Sequence, residues 1–208
     1  MLTDVFQPFI KESAITVMTR GLLERLLNPQ QLDEWFEQTA EHQYTRELLF
    51  STTLELMMQV VCGVRRSVNR AYEAMSSEIA GSVTSVYNKL NGIEVNTSAE
   101  LVRYSGRHAR WLIEELGGER ESLIPGYRVR MLDGNCLEAS ERRLGVLRDE
   151  SGAPLPGKSL VVYEPSLGLV TDEFPCEDGH AQERSLLGEV LLRVSADEVW
   201  IADRNFCT

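Results

Sequence analysis

Cysteine is sparse and scattered: Cys62, Cys136, Cys176 and Cys207 form no CxxC pair. That leaves no readable zinc framework and makes free thiols in a reducing compartment the expectation. Histidine is scarcer, with only His42, His108 and His180, far apart in the chain. Long hydrophobic runs are missing too. The most apolar stretch, Leu48 to Val64, is broken by Glu55 and Gln59. It barely reaches the length needed to span a bilayer and reads as a buried core helix. The start of the chain shows no basic segment followed by an apolar core and cleavage site, so a cytoplasmic, non-membrane protein is expected. Positive charge is also short: 21 Lys and Arg stand against 32 Asp and Glu, a formal net charge of -11. The balance argues against a nucleic-acid partner, because phosphate contacts need cations. Net charge describes the whole chain, however, and local patches can oppose it.

What is present divides into two halves with different periodicities, an α+β order. The 208 residues suffice for one large or two small domains. The expected division is a helical domain over 1–122 and a second domain over 123–208. Ile15, Met18, Leu22 and Leu26 repeat at helical spacing. Asn28-Pro29 ends that helix and starts the next, which carries Trp35 and Phe36. A third helix, about Thr45 to Val64, is apolar nearly all round and should run through the bundle. Shorter helices follow near Ser67 to Met75 and Val83 to Asn91, and a last one runs from Thr97 or Ser98 to Gly117-Gly118. After Pro125 the pattern alternates. Tyr127 to Asp133 (YRVRMLD) reads as a strand entering an Asp-Gly turn, Lys158 to Glu164 and Leu167 to Phe174 as two more strands, and Glu198 to Asp203 as a fourth. Ala181 to Val194 has helical spacing. Trp200 reads as core.

This order has a geometric consequence. In an antiparallel meander, strands one and three point the same way, and a helical crossover then delivers strand four parallel to strand one. Asp133 and Asp203, the expected last residues of strands one and four, would emerge at one end of the sheet. Neighbouring strands lie about 4.8 Å apart, and carboxylates at that spacing can share a divalent cation. Mg²⁺ suits such a site, because it takes oxygen ligands and keeps several waters. Both aspartates would be ligands and must stay ionised. Asp-Gly after a strand is also ordinary turn chemistry.

The residues around these acids resemble the insertion-sequence branch of DDE transposases called the IS-four family. The matching segments are Arg130 to Asn135 around the first acid and Ala202 to Thr208 around the second. Glu177 to Arg184, Gln43 to Ser51 and Val86 to Asn91 are similar as well. The resemblance implies the first half of a ribonuclease-H-like core, three-strand meander, crossover helix and parallel fourth strand. It also implies cleavage and strand transfer at the ends of a transposon in double-stranded DNA, and Mg²⁺ or Mn²⁺ held by Asp, Asp and Glu. The first two acids fall on Asp133 and Asp203. The third, a Glu in a Tyr-Arg-Glu-Lys pattern on a later helix, is not found, so the expectation is a truncated transposase with weak metal binding and doubtful activity alone. Strand four would then be an open edge, predicting an oligomeric or poorly soluble product, or pairing with full-length transposase.

Two stretches of the helical half are candidate DNA contacts. In Glu78 to Ile93 a short helix, a turn at Gly81 and a second helix would form a helix-turn-helix. Val83, Val86, Tyr87 and Leu90 would face inward and Thr84, Ser85, Asn88 and Lys89 would face a groove. Arg103, Arg107 and Arg110 recur at helical spacing as a phosphate-binding strip. A solvated basic face and a plain helical core are the ordinary readings of these patterns. Two other functions remain. One is a non-catalytic remnant that binds DNA or an intact subunit. The other is a phosphohydrolase of the haloacid dehalogenase type, suggested by Leu132-Asp133-Gly134 but opposed by Met131, which stands where that chemistry needs a second acid.

Overall fold

The computed structural model describes residues 14–42, 47–137, 157–176, 178 and 181–206. Helices come first and a four-stranded mixed sheet follows, so the fold is α+β. The chain forms two compact units, Met1–Thr97 and Ser98–Thr208. The division falls well before the expected boundary after residue 122. The last long helix has its ion pairs and close contacts with the sheet. Among the described residues no helix is long and apolar enough to cross a membrane.

The helical unit contains α1 (Ala14–Leu26), α2 (Pro29–Thr39), α3 (Phe50–Val61), α4 (Val68–Met75) and α5 (Val83–Gly92). Their starts follow from capping chemistry. Asn28 Oδ1 accepts the Gln31 N–H with Pro29 in the first turn, and Ser67 and Ser82 do the same for α4 and α5. Each such cap contributes about 1 kcal/mol. α3 has Leu49 at its N-cap, which offers no side-chain acceptor. Asp33 of α2 fills the role from outside, accepting the Ser51 N–H at 2.8 Å and its hydroxyl at 2.7 Å. α3 is shorter than the expected helix and is not apolar all round. Ser51, Thr53 and Gln59 are buried with Leu56, while Val61 is exposed. Leu48, Leu56, Ala71, Met75, Ile79 and Val86 form the core of this unit.

The second unit starts within α6 (Val95–Glu115). This helix ends in a Schellman motif, with Gly118 N–H on the Ile113 carbonyl and Gly117 N–H on that of Glu114. Gly117 sits at φ 63°, where a side chain would be strained. The sheet contains β1 (Arg128–Leu137), β2 (Gly157–Glu164), β3 (Leu169–Cys176) and β4 (Glu198–Ala202), in the order β3-β2-β1-β4. β1 to β3 form an antiparallel meander, and β4 pairs parallel to β1. The crossover into β4 is shorter than Ala181 to Val194. It is a 3-10 turn, Glu183–Leu186, leading into α7 (Leu187–Leu191). Leu132, Leu160, Val162, Phe174 and Val190 form the core, with Leu186, Leu187, Trp200 and Phe206 packed against it.

Candidate functional site

Alternation along β1 separates two sets of side chains. Arg128, Arg130 and Leu132 share one face with Glu164 and Val162 of β2. Val129, Met131 and Asp133 share the other. The first face buries charge. Glu164 is 1% exposed and accepts from Arg128 Nε at 2.9 Å, from Arg128 Nη2 at 2.7 Å and from Arg110 of α6. Arg128 and Arg130 both reach Glu198 of β4, at 3.3 and 2.7 Å. Burial alone would push the Glu164 carboxyl up, but the hydrogen bonds from Arg128 and Arg110 outweigh it and hold the group below the ordinary range.

The second face leads to the two aspartates. In the parallel ladder Arg128 to Leu132 pair with Glu198 to Ala202. Asp133 follows in β1 and Asp203 directly follows the end of β4, so each stands one residue past the last ladder pair. Strand spacing of about 4.8 Å sets the scale of their separation. Both are exposed. Each is held locally: Asp133 Oδ1 accepts the Gly134 N–H at 2.9 Å and Asp203 Oδ1 the Asn205 N–H at 2.8 Å. One detail differs from the sequence expectation. Asp133 does not end its strand at an Asp-Gly turn. β1 runs on to Leu137, with Asp133 opposite Val161 and Gly134 opposite Leu160. β2 continues past this point and supplies the ladder that keeps Gly134 extended.

A polar cleft of about 330 Å³, lined by Lys158, Gln182, Glu183, Arg184 and Asn205, opens on the sheet face that Gly134 shares with Leu132, opposite the Asp133 side chain. The Glu183 carboxylate lies against Gly134, where any Cβ would collide with it. Two aspartates are a weak but chemically suitable oxygen donor set for a hard divalent cation. Among the described residues no group of three or more His, Cys, Asp or Glu converges on a metal position.

The expected DNA contacts have mixed placements. Arg103 is turned into its own unit, donating to Asp172, Glu100 and the Glu173 carbonyl. Arg110 is bound to Glu164. Only Arg107 of the three is exposed, so no strip of three solvent-facing guanidinium groups forms. The acids that neutralise Arg103 and Arg110 come largely from β2 and β3, which no helical spacing could reveal. On α5, Thr84, Ser85 and Asn88 are exposed. Lys89 lies with its ammonium 4.5 Å from the Phe36 ring centroid. Burial lowers its pKa, with Asp33 opposing. Lys89 therefore faces the aromatic core formed by Trp35, Phe36 and Phe50 instead of a groove. Val86 is buried as expected, but Tyr87 is exposed. No helix lies between Glu78 and Gly81; the helix before the turn is α4. His42 is exposed against Glu94, and the His108 ring lies 2.8 Å from the Tyr104 carbonyl. His180, Cys207 and residues 43–46 of the resembling segments lie outside the described residues.

No protein-family profile, curated protein or solved structure matches the chain.

The sequence reading missed the cleft and the buried charges. Arg128 and Arg130, two apart on a strand, were a usable signal, since both must lie on one face and buried cations require acids. The cleft had no such signal, because its lining comes from three separate elements.

Proposed function

We propose that this chain is part of a DNA transposase of the insertion-sequence DDE type, with Asp133 and Asp203 as two of its metal-ligating acids. The observation that supports the reading is the parallel β1–β4 register, whose last pair, Leu132 with Ala202, stands one residue before each aspartate. The strand order β3-β2-β1-β4, with a helical crossover before β4, is what the first half of a ribonuclease-H-like core requires.

Asp133 in β1 and Asp203, one residue past β4, contribute two carboxylates. Their exposure leaves room for a phosphodiester to approach. The local N–H bonds to Gly134 and Asn205 limit rotation of each carboxylate and keep one oxygen of each engaged. Mg²⁺ or Mn²⁺ bound there would activate the attacking water and neutralise charge on the leaving oxygen. With these two acids as protein ligands, water would complete the shell of the ion.

Mn²⁺ titration followed by water-proton relaxation tests the pair. Asp133→Asn and Asp203→Asn should each abolish saturable binding; binding that survives both changes rejects the site. A parallel assay for Mg²⁺-dependent nicking of DNA carrying transposon-end sequences separates the two functional outcomes. The second reading, a non-catalytic chain that binds DNA or pairs with an intact subunit, is favoured by the described residues bringing together two acids and not three. It predicts DNA binding without nicking.

A further inference from the structure

The cleft lined by Lys158, Gln182, Glu183, Arg184 and Asn205 is not used by the two-aspartate chemistry and lies across the sheet from the Asp133 side chain. Glu183 lies against Gly134, the residue after Asp133. Asn205 donates its backbone N–H to Asp203. The lining has two cations and one acid, a positive balance in a chain of net charge -11.

The cations are held in place. Lys158 Nζ donates to the Ala181 carbonyl at 2.8 Å, leaving two further N–H donors. Arg184 Nε donates to Gln182 Oε1, which fixes the guanidinium. Its terminal nitrogens make no other hydrogen bond among the described residues. A guanidinium fork with an ammonium and two amides matches the oxygens of a phosphate ester. Glu183 supplies an acceptor for an N–H or O–H donor, which the phosphodiester group of a DNA strand lacks. A cavity of about 330 Å³ lies at the small end of ligand sites and suits one nucleotide, not a duplex.

We propose that this cleft binds a single nucleotide of a DNA strand, with Arg184 and Lys158 on its phosphate and Glu183 on a donor of its base or sugar. The inference rests on the transposase reading only for the ligand being part of DNA; nucleotide binding itself requires neither aspartate nor metal.

The test is a titration of the intact chain without divalent cations, using inorganic phosphate, thymidine 5′-monophosphate and a short fluorescent single-stranded oligonucleotide. The monophosphate and the oligonucleotide should bind saturably and more tightly than phosphate. Loss of one charge-assisted contact in Arg184→Gln should weaken both by about tenfold. Arg184 is exposed, so an unchanged thermal transition will show that the variant is folded, and the charge-reversed Arg184→Glu should weaken binding further. Asp133→Asn should leave binding intact. Equal affinity for phosphate and the monophosphate, or unaltered binding in both Arg184 variants, overturns the proposal. The two readings fail separately: metal-dependent nicking with an unchanged KM in Arg184→Gln rejects the cleft and retains the transposase. Saturable nucleotide binding with no Mn²⁺ site does the reverse.

Discussion

Glu164 has only 1% of its side chain exposed and holds guanidinium groups from β1 and α6. Removing its charge leaves Arg110 and Arg128 facing each other without their common partner. Glu164→Gln should therefore cost about 3–5 kcal/mol, the range for breaking a buried ion pair on one side, measured by urea unfolding. The pH dependence follows from the direction of the shift. A carboxyl whose folded pKa lies below its unfolded value stabilises the protein above the unfolded pKa and loses that contribution as pH falls through the folded one. Stability from Glu164 should thus be fully present above the ordinary value of 4.5 and decline below it. Thermal melts at descending pH should show a shallower acid loss in Glu164→Gln than in the parent chain. An equal slope would place the acid sensitivity elsewhere.

Gly106 shows how α6 is seated on the sheet. A Cβ there would stand 3.3 Å from the Thr171 Cα and 3.4 Å from its carbonyl oxygen. These are backbone atoms, so the neighbour cannot simply rotate away. Gly106→Ala gains about 1 kcal/mol of helix propensity against this tight contact and should be close to neutral. Gly106→Leu adds bulk with nowhere to go and should cost about 1–3 kcal/mol, again by urea unfolding. The elements themselves were largely legible in the sequence. Asn28-Pro29 marked a helix start, and the alternation in YRVRMLD marked a strand. The meander, crossover and parallel return followed from element order. What was not legible depended on distant partners. Asp133-Gly134 has the letters of a turn, but pairing with Val161 and Leu160 keeps it extended. Arg103, Arg110 and Lys89 have the spacing of exposed cations, but Asp172, Glu164 and Phe36 draw them inward. The parallel β1–β4 pairing was readable because it needs only strand order and direction.

Across the whole molecule, each of the two units has a core of its own among the described residues. One is centred on Leu56 and Val86, the other on Leu160 and Val162. Each unit should respond to damage in its own core. Leu56→Ala removes a fully buried side chain and should cost about 2–5 kcal/mol. Hydrogen exchange should locate that loss in the helical unit and the loss from Glu164→Gln in the sheet unit. Matching losses of protection in both units for either change would mean that they unfold as one.

The two ladders on β1 end at different places: the parallel one at Leu132, the antiparallel one at Leu137. Beyond Leu132 the sheet is one strand narrower on the β4 side. In an antiparallel pair, successive residues turn their peptide groups to opposite sides of the strand. Every second peptide from Asp133 onward therefore points into the notch that β4 leaves. Its polar backbone groups sit beside the first aspartate like the teeth of a comb.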